Sequence, residues 1–243
     1  MMTADRMPRE EKPLVVSEIF GPTVQGEGPN SGVPCMFLRL SNCNLDCHWC
    51  DTPFTWNWDV YDKKQEQTYL DWRTVYERLV APDVGHIVVS GGEPLLQQQA
   101  LKPLMLELVA HGYTVEFETN GTIPPQDWLA DLAQFSVSPK LPHARTTAHP
   151  LRPIGMERFA EMAWRSDAIR FKWVCATADD VELVKHHTDN FRIPEDATWV
   201  MPLGTDPETL AESLSQITEP AVEAGFHVTN RLHVYIWGAE RGH

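Results

Sequence analysis

The chain has 243 residues, 42% of them hydrophobic and 22% charged, enough for one large domain with a substantial core. With 34 acidic against 20 basic residues its net charge is −14 with His neutral, which argues against non-specific nucleic-acid binding and a polybasic membrane anchor, since both need clustered Lys and Arg. No apolar run approaches the ~20 residues of a membrane span and the polar N-terminus lacks a secretory apolar stretch, so the expectation is a cytoplasmic protein with a small-molecule partner, no nucleic acid and no membrane.

In chain order, residues 1–13 read as a flexible tail ahead of a single domain over 14–243. Strands are expected at Leu14–Phe20, Met36–Leu40, His86–Ser90, Thr114–Glu118, Phe135–Ser138, Ala168–Val174, Thr198–Met201 and Leu232–Trp237. Helices are expected at Asp71–Val80, Pro94–His111, Gln126–Ala133, Met156–Ala163, Ala178–Thr188 and Asp206–Ala224. The segment Pro94–His111 carries apolar residues at helical spacing and is followed by Gly112, as expected at a helix C-terminus. The Trp-rich, charged stretch 53–67 reads as an insertion, either a lid or an interface.

Strands alternating with helices imply βαβ units and a mostly parallel sheet. The expected class is therefore α/β, an incomplete (β/α) barrel whose chemistry gathers at the C-terminal ends of the strands. The unusual motifs do follow strands. Met36–Leu40 leads into a cysteine cluster, His86–Ser90 into Gly91-Gly92-Glu93-Pro94, Thr114–Glu118 into Thr119-Asn120-Gly121, and Phe135–Ser138 into Pro139-Lys140. Thr198–Met201 leads into Pro202-Leu203-Gly204. These loops should converge on one rim.

Five cysteines are present, and Cys43, Cys47 and Cys50 form a C-x3-C-x2-C loop. Three thiolates this close suit zinc or an iron–sulfur cluster better than a disulfide framework. A closed zinc site needs four ligands; His48, between two of the cysteines, would strain the loop, and neither Cys35 nor Cys175 has zinc-ribbon spacing. Three cysteines suit a cubane with one iron open to a substrate or cofactor, with a zinc knuckle as the alternative.

With an aromatic residue, Trp49, before the last cysteine, the motif resembles the signature of the radical S-adenosylmethionine (SAM) superfamily. The resemblance implies a barrel of the radical SAM type. It implies a 4Fe–4S cluster on Cys43, Cys47 and Cys50, whose open iron chelates SAM and whose electron releases a 5′-deoxyadenosyl radical. Ser90-Gly91-Gly92-Glu93-Pro94 is similar to the superfamily's motif for the methionine amino group: glycines permit close approach, and a Glu can hold an ammonium. By the same resemblance Trp49 lies near the adenine and Ser138-Pro139-Lys140 contacts SAM. Glu118 either contacts the ribose or caps its turn.

Three further segments narrow the resemblance: Ile19-Phe20-Gly21-Pro22-Thr23-Val24-Gln25-Gly26-Glu27-Gly28, then Arg39 with Asp51-Thr52 flanking the cluster, and Arg231-Leu232-His233-Val234-Tyr235-Ile236-Trp237-Gly238. Together these resemble the 7-carboxy-7-deazaguanine synthases of the queuosine and deazapurine pathway, over about Leu14 to Gly238. This implies a lyase acting on 6-carboxy-5,6,7,8-tetrahydropterin with loss of ammonia, SAM as a regenerated cofactor, and Mg²⁺ on Thr52. Substrate would meet Val24, Gln25, Gly26, Glu27, Arg39, Ser90 and His233. The resemblance also implies a homodimer and an electron donor such as a flavodoxin or ferredoxin. Residue chemistry is compatible, since Arg39 can bind a carboxylate bidentately and a hydroxyl suits Mg²⁺. The first two cysteines are closely spaced, unlike in some relatives, and a contact that some members make with the C-terminal carboxylate is not carried over to Ala239–His243. Alternatives are a glycyl-radical activating enzyme, which needs a protein surface as substrate, and a non-catalytic zinc or iron–sulfur module.

Overall fold

The computed structural model describes residues 12–238 and 240–242; the expected tail over 1–13 lies outside them except for its last two residues. Among the described residues nine strands form one sheet: β1 (Leu14–Val24), β2 (Pro34–Leu40), β3 (Thr68–Leu70), β4 (His86–Gly91), β5 (Thr114–Thr119), β6 (Gln134–Val137), β7 (Ile169–Cys175), β8 (Thr198–Pro202) and β9 (His227–Val228). Their order is β3-β1-β2-β4-β5-β6-β7-β8-β9. β1 runs antiparallel to β2 and β3, and every pairing from β2 to β9 is parallel. The sheet is open, an incomplete barrel as expected.

Period-two alternation gives the parallel strands two different faces. Ile87 and Val89, Val115 and Phe117, Phe135 and Val137, and Phe171 and Trp173 all enter one large apolar core. The alternate positions carry polar residues that bond to one another across strands: Glu116 takes His86 and Ser136, and Glu118 takes Ser90. The register sets Arg39 beside Ser90 and Glu118 beside Ser136. A polar concave face and an apolar convex face are thus written into the same strands.

The convex face is covered by α2 (Trp72–Val80), α3 (Gln98–Ala110), α5 (Pro153–Ala163), α6 (Ala178–Phe191) and α7 (Pro207–Glu223), with short α1 (Lys63–Glu66), α4 (Asp127–Ala130) and α8 (Leu232–Trp237). Caps fix their starts, as where Asp71 accepts from the Arg73 and Thr74 amides and Asp206 from the Thr209 amide. Leu101, Leu104, Met105 and Leu108 bury the inner stripe of α3. Each such side chain contributes roughly 1.5–3 kcal/mol on leaving water.

Four expectations need correction. Leu232–Trp237 is a helix, not a strand: Arg231 and Val234 are buried at helical spacing while Tyr235 and Ile236 are exposed. The last sheet position belongs instead to β9. The expected helix Gln126–Ala133 shrinks to the single turn α4, and Pro94–His111 begins with a 3-10 turn over Pro94–Gln97 before α3. Finally, β1 continues past Phe20 to Val24 through a register shift, which carries Gln25–Glu27 to the mouth of the concave face.

Candidate active site

The strand-end loops do converge, around a cavity of about 660 Å³ on the concave side, within the usual range for small-molecule sites. Cys43, Cys47 and Cys50 stand on its wall, on the loop that leaves β2. N–H donors point at two of the sulfurs: the Leu45 amide at Cys43 Sγ (3.4 Å) and Trp56 Nε1 at Cys50 Sγ (3.3 Å). The Leu45 amide favours thiolate character at Cys43. Burial works the other way, pushing the Cys43 thiol up to about 12 and raising Cys47 despite Lys140 nearby; metal binding at this loop must therefore release protons.

The donor set fits an iron–sulfur cluster. Three soft sulfurs face one cavity, while Cys35 and Cys175 are buried apart from them.

Beside the cysteines, the cavity wall includes Trp49, Gly91, Gly92, Ser138 and Lys140. Lys140 Nζ lies 5.4 Å from the centre of a Trp49 ring and donates to Ser138 Oγ at 2.8 Å. Trp49 Nε1 donates to His143 Nδ1 at 2.9 Å, so the indole is held from behind. A side chain at Gly92 would collide with the Asn42 carbonyl, which explains the glycine: the turn after β4 lies directly on the cluster loop.

Two expected residues are not brought to the wall. Glu93 is fully buried and accepts bonds from the Leu95 amide, Thr119 Oγ1 and the Asn120 amide, all at about 2.8–3.0 Å. Burial raises its carboxyl to about 7 against those donors. Pro139 likewise stands behind Ser138 and Lys140, off the lining.

The other end of the cavity is lined by Val24, Gln25, Gly26, Glu27, Arg39, Thr52, Ser90, Glu118 and His233. Glu118 belongs here by its contacts, accepting from Ser90 Oγ at 2.7 Å and Gln25 Nε2 at 3.3 Å. Arg39 donates through Nε to Glu18 at 2.9 Å. Thr52 Oγ1 lies 3.7 Å from Cys50 Sγ, between the two ends. The imidazole of His233 packs directly on Gly26, where a Cβ would overlap it.

Sequence reading gave no site role to three residues, Lys172, Arg231 and Asp51, although the last two stand in segments that carry the resemblance. Lys172, on β7, is 4% exposed and pairs with Glu27 and, at 3.6 Å, with Glu118. Arg231 donates to Glu27 at 2.9 Å, to the Gly204 carbonyl at 2.6 Å and to Asp51. Asp51 adjoins Thr52, but its own carboxylate is tied to Arg231. Burial alone would raise the Glu27 carboxyl, yet Lys172, then Arg231 and His233, outweigh it and hold it well below the usual carboxylate range. Lys172 was hidden in an apolar strand pattern, and only its inward position in β7 could have marked it.

The stretch 53–67 forms part of this site. Phe54 and Trp56 line the cavity, the Asn42 amide donates to Thr55 at 2.8 Å, and the Arg241 guanidinium sits 3.8 Å over the Phe54 ring.

An open, mostly parallel α/β sheet with a three-cysteine loop at its strand ends defines a protein of the radical SAM class, and the Radical SAM superfamily model matches residues 39–144. A 7-carboxy-7-deazaguanine synthase of Pyrobaculum aerophilum is 39% identical over 229 residues, covering 93% of this chain and 96% of the relative. Those of Hyperthermus butylicus and Bacillus subtilis are 31% and 29% identical, each over at least 92% of both chains. The crystal structure of QueE from Escherichia coli shares the fold, with a TM-score of 0.65 at 23% identity over 93% of this chain and 96% of that one. The chain belongs to the 7-carboxy-7-deazaguanine synthase family.

Proposed function

We propose that the chain converts 6-carboxy-5,6,7,8-tetrahydropterin to 7-carboxy-7-deazaguanine with loss of ammonia, a carbon–nitrogen lyase step of queuosine and deazapurine biosynthesis. One observation supports this best: a single cavity carries three thiols at one end and, at the other, a fixed carboxylate (Glu27), an amide (Gln25) and a guanidinium (Arg39). That second end suits a small anionic heterocycle better than a protein surface.

When bound, a 4Fe–4S cluster and SAM supply a one-electron cleavage that delivers a hydrogen-abstracting radical. Cys43, Cys47 and Cys50 hold the cluster. Gly91 and Gly92 let SAM approach the backbone, Ser138 and Lys140 donate to it, and Trp49 flanks its adenine. Glu93 and Pro139 act from behind the wall, Glu93 by bracing the Thr119–Asn120 turn. Gln25, the Gly26 backbone and Glu27 read the amide-like edge of the pterin. Val24, Ser90 and His233 complete that wall, and Arg39 takes the carboxylate bidentately. Glu118 works with the substrate group through Gln25 and Ser90. Thr52 offers one hard oxygen to Mg²⁺; substrate and water oxygens would complete an octahedron. The reading extends to a single domain over 14–243 with 53–67 as an insertion, a homodimer, a flavodoxin or ferredoxin as electron donor, and the cytoplasm as compartment, without nucleic-acid or membrane partners. No helix among the described residues is long and apolar enough to cross a membrane.

The test is anaerobic reconstitution with iron and sulfide, followed by reductant, SAM, Mg²⁺ and 6-carboxy-5,6,7,8-tetrahydropterin, with products read by mass spectrometry. The expected product is 7-carboxy-7-deazaguanine. Reductive SAM cleavage without it would sink the substrate assignment while leaving the class intact.

A further inference from the structure

We propose that Lys172 is the positioning residue of the substrate end of the cavity, its buried ammonium holding Glu27 and Glu118 as a fixed pair of anionic acceptors for the N–H edge of the heterocycle. The inference rests on the function proposed above and deepens it.

The geometry is specific to this end. Lys172 reaches from the middle of β7 into the concave face, where its Nζ pairs with Glu27 on the loop after β1 and lies 3.6 Å from Glu118 on β5. Glu118 in turn accepts from Ser90 on β4 and from Gln25. One ammonium therefore fixes, directly or through Glu118, four wall residues from three segments of the chain. A cation this buried is retained only if paired, and Glu27 and Glu118 are the carboxylates it pairs with. Arg231 and His233 reach Glu27 from the opposite side, the latter at 3.9 Å. Their ion pairs are with Glu27 and not with Glu118, so Lys172 is the cation that contacts both acceptors. Without it, Glu27 and Glu118 would repel and turn apart, and the acceptor pattern would no longer match two neighbouring N–H groups of an aminopyrimidinone. Donors and acceptors fixed in advance bind without the ordering cost that mobile side chains carry.

The charged groups facing Glu27 are Lys172 from β7, Arg231 and His233 from the C-terminal segment, Glu118 from β5 and Asp51 from the cluster loop. Removing Lys172 takes away the strongest of the attractions that keep Glu27 ionised, so substrate binding gains a pH dependence that the wild type lacks near neutrality.

The experiment uses the reconstituted full chain with Lys172→Met and Lys172→Arg. Cluster content and substrate-free SAM cleavage are measured first, then KM and kcat for 6-carboxy-5,6,7,8-tetrahydropterin between pH 6 and 8.5. For Lys172→Met the expectation is a KM raised on the order of tenfold or more, a far smaller change in kcat, and a KM that climbs further as pH falls. Lys172→Arg should recover most of the loss. If Lys172→Met does not fold, Lys172→Met/Glu118→Gln keeps the buried charge balanced and is compared with Glu118→Gln alone; the double variant should still show the raised, pH-dependent KM. A wild-type KM for either Met variant at all pH values overturns the inference, as does an equal loss of cluster, SAM cleavage and substrate affinity with no pH component and no rescue by Arg. If the wild type itself makes no product from this pterin, the functional reading fails instead, and the two failures are distinct.

Discussion

Glu93 lies just behind the cavity wall with both carboxylate oxygens taken by groups of its own chain. Its burial raises the carboxyl from 4.5 to about 7, so the folded chain binds this proton more tightly than the unfolded chain. The stabilisation is full below about pH 4.5 and is lost as pH rises through 7, a change of about 3 kcal/mol by linkage. Glu93→Gln, uncharged at every pH, should flatten this slope: chemical denaturation of the metal-free chain from pH 5 to 7.5 should show wild-type stability falling relative to the variant. Parallel pH profiles would refute the raised carboxyl. Glu93 also marks a limit of reading motifs. The residues Ser90-Gly91-Gly92-Glu93 were legible as a turn at the cavity, but which atoms meet the cavity depends on the loop after β5 that folds over Glu93. Lys172 marks the converse limit, since a lysine in an apolar run gains meaning only from the inward face of its strand.

The elements near the cavity show the same division. The parallel strands were legible because their alternation is regular and their loops carry glycines, cysteines and prolines. Leu232–Trp237 was not, because Val, Tyr, Ile and Trp favour strands, whereas tertiary contacts decide the outcome here. The Leu232 amide donates to the Gly26 carbonyl at 2.8 Å and Arg231 is anchored in the cavity wall, so the segment starts as a helix docked on the loop after β1. Gly26 is what permits that docking, since any Cβ would occupy the space of the His233 imidazole. Gly26→Ala should push the ring aside, destabilise the chain by about 1–3 kcal/mol as overpacking does, and raise KM for the pterin much more than it alters cluster content. Gly26→Ala/His233→Ala should regain the stability. If the single variant binds substrate as the wild type does, the contact is not what orders this wall.

At the scale of the molecule, the sheet keeps stability and chemistry on opposite faces. Phe135 packs at a tilt against Phe117 and Phe159 in the convex core, with ring centres 5.6 and 5.4 Å away, while Glu116, Glu118 and Ser136, the strand neighbours of Phe117 and Phe135, face the concave side. The two faces share a backbone but no side chains. Phe135 is 1% exposed, and Phe135→Ala should cost about 3–5 kcal/mol through lost burial and a residual cavity, lowering Tm by roughly 10 °C for a chain of this size. Because the strand register is held by main-chain hydrogen bonds and by the remaining core, the concave face should keep its geometry well below the new Tm. The variant is therefore expected to show cluster content and kcat/KM for the pterin within about twofold of wild type at 20 °C, where a twofold change corresponds to about 0.4 kcal/mol in the barrier. Thermal unfolding and steady-state kinetics on the same reconstituted sample separate the two quantities. A large loss of kcat/KM in a sample that is still fully folded would mean that core packing on the convex face sets the positions of Glu116 and Glu118 directly, and that the separation of the faces does not hold.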